Sequence, residues 1–323
     1  MVDNNHFFYG KRILVTGSSG LVGSALIQKF KTLGCDKLFL PRSNEFDLRN
    51  RDDVDKLFRE TKPDLVFSLA AKVGGILDNR NNPADFYFEN TLIATYTFEA
   101  CARHGAKKLV SIGAGCGYPL GIPEPLKETQ IWEGLPQGES KAYSLVKKML
   151  LVQSEAYRHQ HGLDSITLIP SNIYGPNDNF NLIEAHVIPA LVRKFFEAVA
   201  NNQNQVVIWG DGSAKRDFIH SSDLADAILL ASEKYSHDLP LNICYGKQYS
   251  VKEVVDVLTE ISGFSGKVFW DTEMPSGQNS REFSIERTRQ FLPEYSAKIN
   301  LKDGLTKTYS WLSENYNLGV ARL

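Results

Sequence analysis

Cysteine is scarce in this chain. Only four occur among 323 residues, at Cys35, Cys101, Cys116 and Cys244. They form no CxxC pair and no Cys/His cluster with ligand spacing, which argues against a metal site and fits a reducing compartment. A basic surplus is also missing: 36 Lys and Arg stand against 38 Asp and Glu, for a net charge of −2. No global field therefore attracts nucleic acid or an anionic membrane, and any anionic ligand must be held by local groups. No run approaches the roughly 20 apolar residues that a spanning helix needs. The N-terminal MVDNNHFFYGKRILV lacks the charged-then-apolar order of a secretory signal, and there is no internal repeat or low-complexity tract. The expectation is a soluble, cytoplasmic protein with no metal, nucleic-acid or membrane partner.

What is present is alternation. KRILVTG is a short apolar run ending in glycine, and LVGSALIQKFKTLG follows with helical spacing and Gly34 as its stop. KLFL, DLVFSLAA, KKLVSIG and DSITLIPS read as further strands. RDDVDKLFRETKP, ADFYFENTLIATYTFEACARHG and KAYSLVKKMLLVQSEAYRHQHG read as the helices between them. This β-α-β-α order predicts an α/β protein with a Rossmann-type doubly wound parallel sheet. After Asn172 the texture changes, with Pro, Asn and Gly denser in NIYGPNDNFN. VIPALVRKFFEAVAN, DLADAILLASEKY, SVKEVVDVLTEISG and LKDGLTKTYSWLSENY are helices, VVIWGDG is strand then turn, and LNICYG is a strand returning to the large sheet. The expected division is a dinucleotide-binding domain of residues 1–171 plus about 217–246. A smaller, interleaved C-terminal substrate domain takes about 172–216 plus 247–323.

Gly17, Gly20 and Gly23 form GxxGxxG between the first strand and the first helix. Glycine there lets the backbone turn tightly and approach a pyrophosphate, while the helix supplies free N–H groups and its positive dipole end. The competing reading is a merely tight βα turn. The second strand ends in Pro41-Arg42-Ser43 rather than in the acid that usually meets the ribose of NAD. Arg42 would meet a 2′-phosphate, which favours NADP(H); otherwise it is a solvated loop residue. Asp47 is a candidate for the adenine edge or a helix cap.

Tyr143 and Lys147 lie four apart in a predicted helix and so share a face. A lysine ammonium beside a phenol favours the phenolate and lowers its pKa. Such a tyrosine can exchange a proton with a substrate oxygen while hydride moves at the adjoining carbon. YxxxK alone is common. Some 120 residues after a glycine loop, and after a fourth strand, it is a specific signal. The alternative is an exposed lysine beside a partly buried tyrosine.

Together, the glycine loop and YxxxK resemble the extended short-chain dehydrogenase/reductases. AAKVGGI (70–76), NPADFYFEN (82–90), CGYP (116–119), PSNIYGPNDNFN (170–181), HVIPALVRKF (186–195) and VVIWGDGSAKRDFIHSSDLA (206–225) narrow this. The chain is similar to the GDP-L-fucose synthase family from Lys11 to about Tyr316. The blocks at His186 and Trp209 are far more specific than the glycine loop.

The resemblance implies epimerisation at C3 and C5 and NADPH-dependent reduction at C4 of a GDP-4-keto-6-deoxyhexose, in a homodimer built through two long helices. It implies Tyr143 as proton donor to O4, Lys147 as its tuner and a cofactor contact, and Cys116 and His186 as the epimerisation pair. A thiolate beside a cation is an effective base, and imidazole is poised to return a proton. Without the family, Cys116 would be a small buried residue and His186 a helix N-terminal one. At the GDP end the resemblance implies Trp209, Arg216 and Arg281, an indole beside a base or ribose and arginines forked on diphosphate; Arg281 alone reads equally as a surface charge. Lys72 is a candidate for the nicotinamide side or an ordinary loop lysine. Asn172 is a sugar contact or only part of the turn before YGP.

The sequence departs from the family at one place. Where the family has a hydroxyl side chain four residues before the tyrosine of YP, this chain has Ala114, followed by Gly115. Ser111, three residues away on a strand, points to the other face and does not substitute. Three outcomes are open: a slower reductase relying on Tyr143, a different sugar accommodated by the small Ala-Gly pair, or epimerisation without reduction, against which the intact Tyr143/Lys147 pair argues. The nearest rival function is a GDP-4-keto-sugar 4-reductase with little epimerisation, acting on a heptose or dideoxyhexose. A non-catalytic dinucleotide-binding scaffold is the rival from another class.

Overall fold

A computed structural model describes residues 6–136, 138–273 and 279–323. The first half runs β1 (Ile13–Thr16), α1 (Leu21–Thr32), β2 (Leu38–Phe39), α2 (Arg51–Thr61), β3 (Leu65–Ser68), α3 (Ile76–Asn81), α4 (Pro83–His104) and β4 (Lys108–Ile112). α5 (Lys141–His161), β5 (Asp164–Pro170), β6 (Asn172–Tyr174), α6 (Val187–Ala200), β7 (Gln205–Trp209), β8 (Lys215–His220) and α7 (Ser221–Lys234) follow. β9 (Leu241–Ile243), β10 (Gln248–Ser250), α8 (Val251–Ser262), β11 (Lys267–Asp271), α9 (Glu286–Phe291) and α10 (Leu301–Asn315) complete the order.

Six strands form one sheet in the order β2-β1-β3-β4-β5-β9, and every neighbouring pair is parallel. Parallel neighbours need crossovers, so helices cover both faces. The alternation is visible in β1: Ile13 and Val15 pack with Leu26 and Phe30 of α1 and Ile228 of α7, while Leu14 packs with Phe58 of α2, Phe98 of α4 and Leu150 of α5. The expected doubly wound parallel sheet is present. Its order reverses between β1 and β3, which opens a crevice beyond their C-terminal ends.

The second core is built from α6, α8 and α10 against two small sheets, β10-β8-β6 and β11-β7. β8 serves both cores. Phe218 is buried in the smaller and Ile219 in the larger, as the period of two requires. β6 does the same through Tyr174 and Ile173.

Asp217 pins the places where the chain passes between these cores. Its buried carboxylate accepts from Ser171 Oγ (2.6 Å), just after β5, and from the Tyr245 (2.9 Å) and Gly246 (2.7 Å) amides, just after β9. Burial pushes its pKa up, against the pull of these hydrogen bonds. Asp217→Ala would strand the buried Ser171 hydroxyl, at about 1–3 kcal/mol, and remove the bonds from the two partly buried amides, at about 0.5–1.5 kcal/mol each. Urea unfolding should show a loss of at least about 2 kcal/mol in total. A change under about 1 kcal/mol, the size of a single ordinary hydrogen bond, would mean that water replaces the carboxylate.

Candidate active site

The glycine loop sits at the crevice, and its three glycines have different reasons to be there. Gly17 has φ of +66°, and a Cβ on it would lie 2.7 Å from the Ala70 nitrogen, because the loops after β1 and β3 cross in contact. A Cβ on Gly23 would collide with the Gly17 carbonyl and Ser18, so α1 packs directly on the loop. Gly20 differs: a Cβ there would meet only the Gly17 oxygen, at an ordinary 3.4 Å. Protein packing does not require that glycine, so the room over it is available to a ligand at the N-terminus of α1, where no side chain caps the free N–H groups.

Arg42 is exposed; its carbonyl accepts from the Glu45 and Phe46 amides, while its guanidinium makes no hydrogen bond or ion pair among the described residues. Asp47 is committed to Arg49, whose Nε and Nη2 donate to its two oxygens at 2.9 and 2.8 Å, and this pairing lowers its pKa. It does not cap α2; Asn50 does, accepting from the Asp52 and Asp53 amides. Arg49 also reaches Glu89 (2.9 Å), and Glu89 holds Lys72 Nζ at 2.8 Å. Lys72 is thus tied into a charged chain along the crevice, and Asn90 fixes its backbone by accepting from its amide and donating to its carbonyl. Neither Arg49 nor Glu89 stood out in the sequence, since each is an unremarkable charge on a loop or helix.

Tyr143 and Lys147 share one face of α5, as their spacing requires. Lys147 Nζ lies 5.5 Å from the Tyr143 ring centroid and donates to the Ile112 carbonyl at 2.8 Å, the end of β4. Both are crowded by protein yet keep some accessible surface, as cleft-lining groups do. Desolvation pulls Lys147 down to about 8, with Cys116 opposing. The Tyr143 phenol moves opposite to the sequence expectation. Burial, aided by Cys116, pushes it up, so the resting tyrosine is a neutral acid and not a phenolate.

Cys116 is presented on a 3-10 turn, Gly115–Gly117, between β4 and a buried tyrosine. It interacts electrostatically with Tyr143, Lys147 and Arg281, so these four groups converge. Arg281 is buried, and its Nη2 donates to the Tyr118 carbonyl at 3.1 Å; the alternative of a surface charge is overturned. Arg216 lies close enough for Arg281 to depress its pKa, after the larger effect of burial, with Glu124 opposing. Glu124, absent from the sequence reading, accepts from Ser280 Oγ at 2.7 Å beside this arginine pair.

His186 is the N-cap residue of α6, but its side chain makes no capping bond. The imidazole is exposed in area yet surrounded by protein, and desolvation lowers its pKa. Its approach to the site is indirect: Glu184 O accepts from the Gly75 amide at 2.6 Å, Gly74 abuts Phe86, and the Phe86 ring meets Tyr143 edge-on at 6.1 Å. Asn172 Nδ2 donates to the Asp217 carbonyl at 3.0 Å within the β6–β8 pair, so one amide proton at least is used structurally. Trp209 is 42% exposed with Lys194 Nζ 5.7 Å from its ring, on the open face of β7. A cavity of about 430 Å³ beside Glu253, Asp256 and Lys302 lies between α8 and α10 and includes none of these residues.

The position of the missing hydroxyl is also resolved. Ala114 is extended (φ −149°, ψ 139°) at the entry to the turn. Ser111 Oγ is buried without a partner among the described residues, so it does not replace the hydroxyl. Gly115 gives no room to a ligand: a Cβ on it would lie 2.6 Å from Phe283 Cζ, whose ring already fills the space. The idea that the Ala-Gly pair enlarges the sugar site is corrected at its second member.

The profile of the NAD dependent epimerase/dehydratase family matches residues 13–244. The putative GDP-L-fucose synthase 2 of Arabidopsis thaliana is 40% identical over 304 residues, covering 94% of this chain and 92% of the relative. Among solved structures, a GDP-L-fucose synthetase from Naegleria fowleri bound to NADP superposes with a TM-score of 0.91 at 29% identity, covering 97% of this chain and 95% of that one. The GDP-mannoheptose C4 reductase of Campylobacter jejuni with NADP bound gives 0.85 at 32%, covering 94% and 98%. This chain belongs to the NAD dependent epimerase/dehydratase family and, within it, to the GDP-L-fucose synthase family.

Proposed function

We propose that the protein is an NADP(H)-dependent enzyme that epimerises C3 and C5 and reduces C4 of a GDP-4-keto-6-deoxyhexose, giving GDP-L-fucose or a close relative. The observation that carries this is the convergence of Cys116 with Tyr143, Lys147 and Arg281, since an epimerising base has no use beside a reductase pair unless both act on one sugar. The dinucleotide is assigned to residues 1–171 plus about 217–246, with its pyrophosphate over Gly20, and Arg42 answers its 2′-phosphate. Asp47 and Lys72 flank it. The substrate is assigned to about 172–216 plus 247–323, with Arg216 and Arg281 on the diphosphate, Trp209 at the nucleoside and Asn172 at the sugar.

The carbonyl at C4 makes the protons on C3 and C5 acidic. Cys116 as thiolate takes one and becomes the thiol, the C–H electron pair moves onto O4 as an enolate, and His186, having first taken a proton from solvent, returns it to carbon on the other face. Its lowered pKa makes the imidazolium, once formed, a stronger acid than free histidine. A nicotinamide cofactor, when bound, would supply hydride to C4. Tyr143, protonated at rest, gives its proton to O4, and Lys147 steadies the phenolate left behind. A homodimer through α4 and α5 belongs to the same proposal, supported by exposed Phe88 (63%) and Val152 (52%) on those helices. So does a cytoplasmic location, supported by four unpaired cysteines. No helix among the described residues is long and apolar enough to cross a membrane.

The second reading, a C4 reductase without epimerisation, is favoured by the likeness to the GDP-mannoheptose reductase and by Ala114. One experiment separates the two. The protein is given NADPH and GDP-4-keto-6-deoxymannose in deuterated water, and the product is examined by NMR. NADPH oxidation with deuterium at both C3 and C5 is expected. Oxidation without deuterium would leave a plain reductase and strip Cys116 and His186 of their roles.

Ala114→Ser should restore a donor to O4 and raise the reduction rate by about tenfold or more, toward the ~10²–10³ that one such donor contributes. An unchanged rate would mean that O4 is already fully served. For Lys147, the ammonium form prevails below about pH 8 and is lost above it. kcat/KM for NADPH, which reports the free enzyme, should therefore fall as pH rises through about 8. In Lys147→Arg the activity is lower but that limb moves to higher pH. A limb that stays in place would belong to another group.

A further inference from the structure

We propose that Tyr118 is a positioning residue for Cys116, and that its hydrogen bond to Asn242 sets how fully the sugar is epimerised before C4 is reduced. The inference rests on the function proposed above and concerns two residues to which that function assigns no part.

Cys116 stands on a turn closed by two backbone bonds, Gly117 N to Ala114 O (2.9 Å) and Tyr118 N to Gly115 O (3.2 Å). The turn is fastened at its far end by Tyr118, which is completely buried. The Tyr118 hydroxyl donates to Asn242 Oδ1 at 2.7 Å, its carbonyl accepts from Arg281, and its ring meets Phe283 edge-on at 5.9 Å. Phe283 in turn fills the flank of Gly115, and Lys148 and Ile131 close on Gly117.

Asn242 is equally buried, and every polar atom it has is used. Its Nδ2 donates to Leu126 O (3.0 Å) and Ser284 O (3.1 Å), its amide to Glu128 Oε1 (2.9 Å), and its carbonyl accepts from Thr288 Oγ1 (2.5 Å). It lies on β9, paired in register with Ile169 of β5. The Tyr118 hydroxyl therefore fixes a side chain two residues from the thiol to the rigid parallel sheet.

Tyr143 and Lys147 have a separate anchor. They ride on α5 and are held through Lys147 to Ile112, at the other end of the loop. Loosening Tyr118 should move the thiol and leave the reducing pair in place. Order matters chemically, because reduction of C4 removes the carbonyl that makes C3–H and C5–H acidic. Once hydride has reached C4 and the Tyr143 proton O4, an unexchanged centre stays unexchanged. A displaced thiol thus lets hydride arrive first.

The test compares Tyr118→Phe with Thr288→Val by the same deuterium and NADPH assay. Each variant deletes one hydroxyl bond to buried Asn242, so each should lose similar stability, read by thermal melting. Y118F is expected to slow deuterium entry at C3 and C5 about tenfold, less than the ~10²-fold that a 1 Å misplacement can cost, while NADPH oxidation stays within about threefold; incompletely deuterated product accumulates. T288V is expected to keep the wild-type partition. The inference is overturned if Y118F slows both steps equally, if it leaves the partition unchanged, or if T288V shifts it as much. A Y118F protein that does not fold while T288V does would also overturn it, since Tyr118 would then be holding the fold and not the thiol. Wild-type protein that neither oxidises NADPH nor exchanges deuterium would sink the proposed function itself, a result distinct from an unshifted Y118F.

Discussion

One buried carboxylate carries much of this architecture. The chain crosses between the two cores after β5, along β8 and after β9, and Asp217 lies on the second crossing while bonding to the first and third. A lone carboxylate without water is expensive, and its raised pKa records that cost. Three converging donors offset it. Asp217 thereby ties the segments that pass between the two cores to one another. On the proposed assignment, Tyr143 and Cys116 from one side and His186 and Arg216 from the other would face one sugar.

Parallel pairing sets the rest. Strands that all run the same way deliver every β-to-α loop to one edge of the sheet. The glycine loop after β1, the Lys72 loop after β3 and the Cys116 turn after β4 are therefore neighbours although nearly 100 residues separate the first from the last. Electrostatics follows from that crowding. The protein's net charge is −2, yet Arg216 and Arg281 lie near one another and Lys147 and Arg281 both lie near Cys116, and the pKa of each of the three cations is depressed chiefly by desolvation. Concentrated local cations are what a nearly neutral protein needs to hold an anionic cofactor and a diphosphate.

The large sheet was legible because its signals are periodic and local. Apolar runs followed by glycine gave β1 and β4, and the stops at Gly34, Gly105 and Gly162 all adopt positive φ. The three-residue strands β6 and β10 were not legible, since pieces that short carry no period. β11 was missed although KVFWD is β-rich, because nothing local says that it pairs with β7. Motif residues could be named from the sequence, but not their partners. That Asp47 belongs to Arg49, that Phe283 occupies the flank of Gly115, and that Asn242 receives Tyr118 are contacts across long separations, invisible to spacing. The direction of the Tyr143 shift failed for a similar reason: spacing places the lysine but says nothing of burial, and here burial wins.

That reversal bears on what the missing hydroxyl means. A hydroxyl at position 114 would have shared the charge on O4, a contribution of about 2.7–4 kcal/mol for one good donor. A phenolate could not make up that loss in the reducing direction, because it has no proton to give. A neutral Tyr143 can. On the proposed mechanism it would transfer a whole proton to O4 instead of stabilising a partial charge, and Lys147, 5.5 Å from the ring, would then meet the phenolate that remains. Since Phe283 fills the flank of Gly115, the loss of the side chain opens no new pocket there and does not by itself argue for a larger sugar. Under the proposed function Ala114 would bear on the speed of the C4 step, whereas the order of epimerisation and reduction would turn on where the turn holds Cys116.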